Sequence, residues 1–278
     1  MRLVTVVNAV RVEIDLPGVS ETAYAETAAI LDRALREGKV KNRDAIQSTF
    51  LYALRNCPTA NASDLWHHVV YRLYCESLRR YRGQDPKQSW VRAGGEALEL
   101  IVEEWYTPVL APHGVRIQAL IGNDLKKTAL KDMGIQRAVG AAKLDMALYR
   151  RKSEADAWRI FGGVHVKASL AERVSDDVPA SRAMMRKGFL SPLWTLDVKS
   201  FPPPHGDLVN RGELGTPATP SEKRRYVEEH GDFDNLYSAN TRSVPSGKRT
   251  TSGKRIYQLT LHQQPDQFAL HILARAKA

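Results

Sequence analysis

Two residues carry the most pointed chemistry in this chain. Asp145 lies in "KLDMALYR", which alternates apolar and polar residues as a strand does. Lys167 closes the next strand-like stretch, "WRIFGGVHVKA". Residues 146 to 166 leave room for a strand, a turn and a strand, and paired strands sit about 5 Å apart. An Asp on one strand can therefore meet a Lys on the other at a sheet edge. With a second carboxylate, such a pair suits phosphodiester hydrolysis. Carboxylates hold Mg²⁺, which keeps several waters and takes a phosphate oxygen. The ion acidifies a bound water. A lysine, as a compact charge on a flexible stem, offsets charge in the transition state. A rival pair, Asp197 and Lys199 in "LWTLDVKSF", contains a literal D-x-K. It ranks second because a proline-rich loop follows it rather than a helix. Those two residues would equally suit the water-facing side of an edge strand.

The elements that must position these residues can be read from periodicity. "SETAYAETAAILDRALREG" reads as a helix capped by Ser20 and stopped at Gly38. "RDAIQSTFLYALRN" is a second helix, and a third runs from about Ser63 to Gly83 with an arginine-rich end. "GEALELIVEEWYTPVL" is a fourth, which Pro108 should bend or end. "GVRIQALI" reads as a strand, with a short helix near Asn123 to Lys131. After Lys167 the chain turns into a charged helix, and "LWTLDVKS" is a further strand. "FPPPHGDLVNRGELGTPATP" reads as a long loop, a type of segment that often carries function. "DQFALHILARAK" closes the chain as a helix. The order predicts an α/β core over 91–278, preceded by a mainly helical region over 1–90.

With these elements in place, Asp145 and a strand ending in Lys167 resemble the PD-(D/E)xK nucleases. That family's second acid usually stands two residues before the lysine, where this chain has His165. One branch shares this departure: type IIP restriction endonucleases cutting sites that contain CCGG or CCNGG. In that branch the acid has migrated to the helix after the lysine, and the lysine precedes small hydroxyl residues and a charged triplet. "KASLAER" is similar, with Ala171 in place of the triplet's first arginine and Glu172-Arg173 retained. The resemblance implies an α/β fold: a nuclease-like mixed sheet flanked by helices, with the N-terminal helical region before it. It also implies a Mg²⁺-dependent enzyme of a restriction-modification system. The migrated acid would be Asp177, with Asp176 as the alternative; the family usually places it slightly later, at Ala180 or Ser181. Asp145 and Asp177 would bind the metal. In "RAGGEALELIVEEW", Gly95, Leu98 and Glu99 resemble the family's G-x-x-L-E setting, which implies that Glu99 supports the metal or its water. Glu99 would otherwise be one of several solvated acids on that helix.

The remaining calls concern DNA. Arginine pairs with guanine O6 and N7, and a carboxylate accepts from cytosine N4, so Glu172 and Arg173 supply one partner for each half of a C·G pair. The resemblance assigns them to the CCGG core of a palindrome, with A/CCGGT as the particular candidate. Ser181 and Arg182 follow on the same helix as groove or phosphate contacts. Ser-Gly-Lys-Arg occurs twice, ending in Lys248-Arg249 and Lys254-Arg255, and suits phosphate binding. About eight phosphate contacts would give a log–log salt slope of about −7. A two-fold target implies a homodimer on double-stranded DNA.

Bulk properties agree with this reading without establishing it. The chain has 278 residues, 43% of them hydrophobic, enough for a sizeable core. Its net charge of +10 fits a polyanionic partner. It has no apolar run of membrane-spanning length and its start does not read as a signal peptide, so a cytoplasmic location is expected. Cys57 and Cys75 are expected as buried thiols. The competing function is a non-catalytic sequence-specific DNA-binding protein, which explains the charge but leaves Asp145 and Lys167 as accidents. An RNA-binding role is disfavoured because RRM and KH signatures are absent from the sequence.

Overall fold

The computed structural model describes residues 1–82, 85–140, 143–171 and 173–277. The chain opens not with a helix but with a hairpin, β1 (Arg2–Val7) and β2 (Val10–Asp15), paired antiparallel. Asn8 and Ala9 turn it with positive φ angles of 49° and 65°. Two-residue hairpin turns need that geometry to match the twist of their strands. The alternation in "RLVTVV" and "VRVEID" carried this signal.

The helices then follow the sequence pattern. α1 (Glu21–Glu37) starts on Ser20, whose hydroxyl accepts from the Ala23 amide, and ends at Gly38 with φ 66°. After α2 (Asn42–Asn56), one helical rod comprises α3 (Ala62–Asp64), a π-helical segment (Leu65–Val70) and α4 (Tyr71–Arg82). α5 (Pro86–Leu110) starts earlier than the apolar pattern suggested, with Asp85 accepting from the Lys87 amide. Pro108 does not bend it midway, because it lies in the last turn and the helix ends two residues later.

The central sheet is mixed, in the order β3 (Val115–Ala119), β4 (Met146–Arg150), β5 (Arg159–Lys167), β6 (Leu193–Thr195), β7 (Leu236–Ser238) and β8 (Ile256–Gln258). β3, β4 and β5 are antiparallel neighbours; β5 through β8 are parallel. α6 (Asn123–Asp132) and α7 (Arg173–Arg186) separate successive strands. The tail adds the short α8 (Glu222–Glu228) and closes with α9 (Gln267–Lys277). The result is a mixed α/β sheet flanked by helices. α5 crosses the 90/91 position, and one apolar cluster contains Leu31, Phe50, Trp66, Val102, Val166, Trp194 and Phe268. The N-terminal helices and the sheet therefore share an interior. Among the described residues no helix is long and apolar enough to cross a membrane. Both cysteines are buried and free.

At Gly163 a Cβ would stand 2.4 Å from Leu144 Cδ1 and 3.2 Å from the Met146 carbonyl, so the glycine lets the Leu144 side chain pack directly on β5. α7 is held from two sides, with Val174 and Val178 in one apolar cluster and Ala180, Ala183 and Met184 in another.

Candidate active site

Asp145 stands one residue before β4, at the mouth of the β4–β5 ladder. It is buried, and its Oδ2 accepts from the Val166 amide at 2.9 Å and from Lys167 Nζ at 2.8 Å. Lys167 reaches a second carboxylate at the same time: Nζ stands 2.8 Å from Asp177 Oδ2. Residues 145, 167 and 177 thus converge on one ammonium.

The electrostatics follow from that geometry. Burial disfavours the Lys167 ammonium, but the Asp145 and Asp177 carboxylates overcome it and raise the pKa. Burial also works against the Asp177 charge, yet His165 and Lys167 hold its carboxyl down at about 2. Glu99, on α5, faces the opposite situation. It is buried beside Asp145, and burial plus that like charge push its carboxyl up to about 8.

Asp176, the alternative acid, points elsewhere. It is exposed and pairs with Lys143 at 3.0 Å. α7 starts at Arg173, later than the sequence suggested, so Asp177 falls one turn into the helix rather than two.

A cleft of about 730 Å³ opens over this corner. Glu99, Asp145 and Lys167 line it, together with Trp66, Trp90 and Gly95. Arg92, Lys199 and Lys223 also face it, as do Glu96 and Glu213. Of the three cations, sequence reasoning singled out only Lys199, as part of the rival pair; Arg92 and Lys223 gave no signal. A built Cβ on Gly95 would meet nothing within 4 Å, so this position leaves the cleft open.

The donor set fits a divalent cation. Three carboxylates, Glu99, Asp145 and Asp177, crowd around one lysine. One ligand atom each from Asp145, His165 and Asp177 lies within 4.8 Å of the others. Asp177 Oδ2 and His165 Nδ1 are buried without an aligned hydrogen bond. An oxygen-rich, net-negative cluster of this kind is what hard divalent ions take.

The rival pair behaves differently. Asp197 is fully buried with φ 47°, and its Oδ1 accepts from the Glu213 amide at 2.7 Å while Oδ2 accepts from the Ser243 hydroxyl. A Cβ on Gly212 would stand 2.2 Å from Asp197 Oδ2. This carboxylate is spent on holding the long loop, and Lys199 points into the cleft without it. The loop in turn supports the turn after β5: Glu213 Oε1 accepts from the Ser169 hydroxyl at 2.6 Å and from the Ala171 amide at 2.9 Å. No local sequence signal marked Glu213.

The expected DNA contacts are placed unevenly. Glu172, and the side chain of Arg173, lie outside the described residues. Ser181 was expected on the outer face of α7, but it is fully buried and its hydroxyl pairs with that of Ser191 at 2.7 Å. The two-sided packing of α7 turns this position inward, which leaves it no surface for a groove or phosphate contact. Arg182 is half exposed and donates to Asp232 at 2.6 Å. Lys248 and Arg249 are exposed. The second repeat is partly structural: Lys254 donates to Asp234 at 2.7 Å, and Arg255 to the Gly247 carbonyl at 3.2 Å.

A mixed sheet whose strand ends converge an aspartate, a lysine and a helix-borne acid under an open cleft is suited to metal-dependent phosphodiester hydrolysis. Residues 123–265 match the BsaWI restriction endonuclease type 2 family, and the chain belongs to it. The chain is 50% identical over 264 residues to the type II restriction enzyme AgeI of Thalassovita gelatinovora, covering 94% of each protein. Its fold superposes on a crystal structure of a specific AgeI–DNA complex with a TM-score of 0.92, at 48% identity and 99% coverage of both chains. This chain is accordingly a type II restriction endonuclease, a site-specific deoxyribonuclease that acts on double-stranded DNA and depends on a divalent metal ion.

Proposed function

We propose that this enzyme cleaves a palindromic site containing CCGG, specifically A/CCGGT, as a homodimer on DNA, with Mg²⁺ as its metal ion. The observation that carries the catalytic assignment is the shared ammonium: Lys167 Nζ at 2.8 Å from both Asp145 and Asp177, beneath an open cleft. Asp145 and Asp177 would hold the ion, and Glu99 would support it or its water. When bound, the ion supplies a more acidic water and charge stabilisation at the phosphate. The chain's own residues do the rest. Lys167, kept charged by its two carboxylates, faces the scissile phosphate and offsets developing negative charge. The Val166 amide fixes Asp145 so that Oδ2 is committed to the protein, leaving Oδ1 for a ligand.

Recognition is assigned to Glu172 and Arg173 at the C·G pairs, following Ala171, which Glu213 braces. Arg182, Lys248, Arg249, Lys254 and Arg255 are assigned to phosphates. Lys248 and Arg249 are the most accessible of these; Lys254 and Arg255 must exchange an internal partner for DNA. A two-fold site demands two copies of the cleft, which is the reason for the homodimer. The expected location is the cytoplasm.

The test is direct. Phage DNA incubated with purified enzyme and Mg²⁺ should give discrete fragments whose sequenced ends read CCGGT and its complement. Ends mapping to other sequences would refute the target. Fragments persisting unchanged with Lys167→Ala would refute the site.

A further inference from the structure

The strand position where related nucleases carry their second acid is occupied here by His165, and its surroundings give it a specific task. His165 and Lys167 stand two apart on β5, so their side chains share one face. The imidazole is fully buried. Nε2 stands 3.2 Å from the Ser191 hydroxyl, which in turn pairs with the Ser181 hydroxyl at 2.7 Å. The Ser191 amide is itself fixed, donating to Asp234 at 2.8 Å. On its other side Nδ1 stands 3.6 Å from Asp177 Oδ2 and has no hydrogen-bond partner, while Asp177 Oδ2 also meets Lys167 Nζ at 2.8 Å. Phe233 packs edge-on against the ring and limits its swing.

A buried polar atom left unpaired is costly, and His165 Nδ1 facing the Asp177 carboxylate, whose Oδ2 pairs with Lys167 at 2.8 Å, points to a contact made in the working state. We infer that His165 is a positioning residue for the migrated acid: the serine pair fixes its tautomer, and its Nδ1–H orients the Asp177 carboxylate toward the cation. If the Ser181 hydroxyl donates to Ser191 and Ser191 donates to Nε2, the ring carries its proton on Nδ1, the atom that faces Asp177. The gap is one that a small side-chain rotation closes. His165 thus does for Asp177 what the Val166 amide does for Asp145. Partners that orient metal ligands typically influence metal affinity or activity by about 10–100-fold. The inference rests on the proposed assignment of Asp177 as a metal ligand.

Three substitutions at His165 and one at Ser191 separate positioning from packing. An asparagine amide nitrogen takes the place of Nδ1, whereas a glutamine's takes that of Nε2. His165→Asn should keep single-turnover cleavage and the Ca²⁺ affinity of the protein–DNA complex within about threefold of wild type. His165→Gln and His165→Leu should each lose about 10–100-fold in both, with unchanged DNA affinity measured without metal. Ser191→Ala, which leaves the imidazole in place, should lose severalfold in both readings. Thermal melts confirm that each variant is folded. If glutamine or leucine serves as well as asparagine, or if all three fail equally, or if Ser191→Ala changes nothing, the inference is wrong. A wild-type enzyme that cuts but is indifferent to Asp177→Asn would instead overturn the reading on which it rests.

Discussion

Two aspartate–lysine corners stand at the ends of neighbouring strands, and they have opposite uses. At the end of β5, Asp145 and Asp177 share the Lys167 ammonium, and a cleft opens above them. Just past β6, Asp197 and Lys199 have the more conventional spacing, but both Asp197 oxygens are engaged by protein donors. Burial raises the Asp197 carboxyl to about 6, against the pull of Ser243 and Glu213, whereas Asp177 is held at about 2 by His165 and Lys167. Residue types alone do not separate the corners. What separates them is whether the carboxylates face cations over open space or are saturated by amides and hydroxyls. The first arrangement is open to a ligand; the second is a joint.

The comparison breaks most easily at the lysines. Lys167→Ala should reduce the single-turnover rate by about 10²–10³-fold, the size seen when a transition-state donor is lost. Lys199→Ala removes only a cleft cation and should cost about tenfold or less in the same assay; equal losses would erase the distinction between the corners. Next in size is Glu213→Ala. It removes the acceptor of the Ser169 hydroxyl, leaves the Ala171 amide only its 3.3 Å contact to Ser169 Oγ, and should raise cleavage at sites with one wrong base relative to the proposed A/CCGGT, because the turn at Ala171 is no longer braced. Unchanged discrimination in competition digests would remove Glu213 from the account.

Glu99 sharpens the contrast through pH. In the metal-free protein its folded-state pKa is raised from an ordinary 4.5 to about 8, by burial first and then by Asp145. An acid with a raised folded pKa binds its proton more tightly when folded. Its favourable contribution is complete below about 4.5 and is lost as pH rises through about 8. Glu99→Gln should therefore gain melting temperature over wild type as pH goes from 5 to 8, with the gain disappearing toward pH 5. A constant difference across that range would contradict the crowding of Glu99 against Asp145. The smallest effect belongs to the exposed repeat. Lys248→Ala and Arg249→Ala should each lower the magnitude of the salt slope of DNA binding by about 1, with the cleavage site unchanged.

Much of this arrangement was legible in the sequence. Helix α1 carried its own start and stop in Ser20 and Gly38, and local capping is what periodicity reads best. Asp145 and Lys167 were legible because strand alternation and the intervening length bring them together. Asp177 needed the family resemblance, since no local pattern distinguishes it from Asp176; the difference lies in which face of α7 the two apolar clusters bury. The same packing defeated the expectation for Ser181. Arg92 and Lys223 come to the cleft from α5 and α8, far apart in the chain, and no sequence spacing encodes that meeting. Glu213 acts through a loop whose course depends on Asp197, a residue whose surface-like motif concealed a buried hinge.

The most direct measurement compares Asp177→Asn with Asp197→Asn in single-turnover cleavage of an ACCGGT duplex, per folded molecule and with Mg²⁺ present. Asp177→Asn should lose about 10²–10³-fold in rate while still binding the duplex. Asp197→Asn should melt earlier, by about 1–3 kcal/mol of stability, yet cut at nearly the wild-type rate while folded. The reverse ranking, with Asp197→Asn folded and inactive and Asp177→Asn active, would move the hydrolytic centre to the other corner.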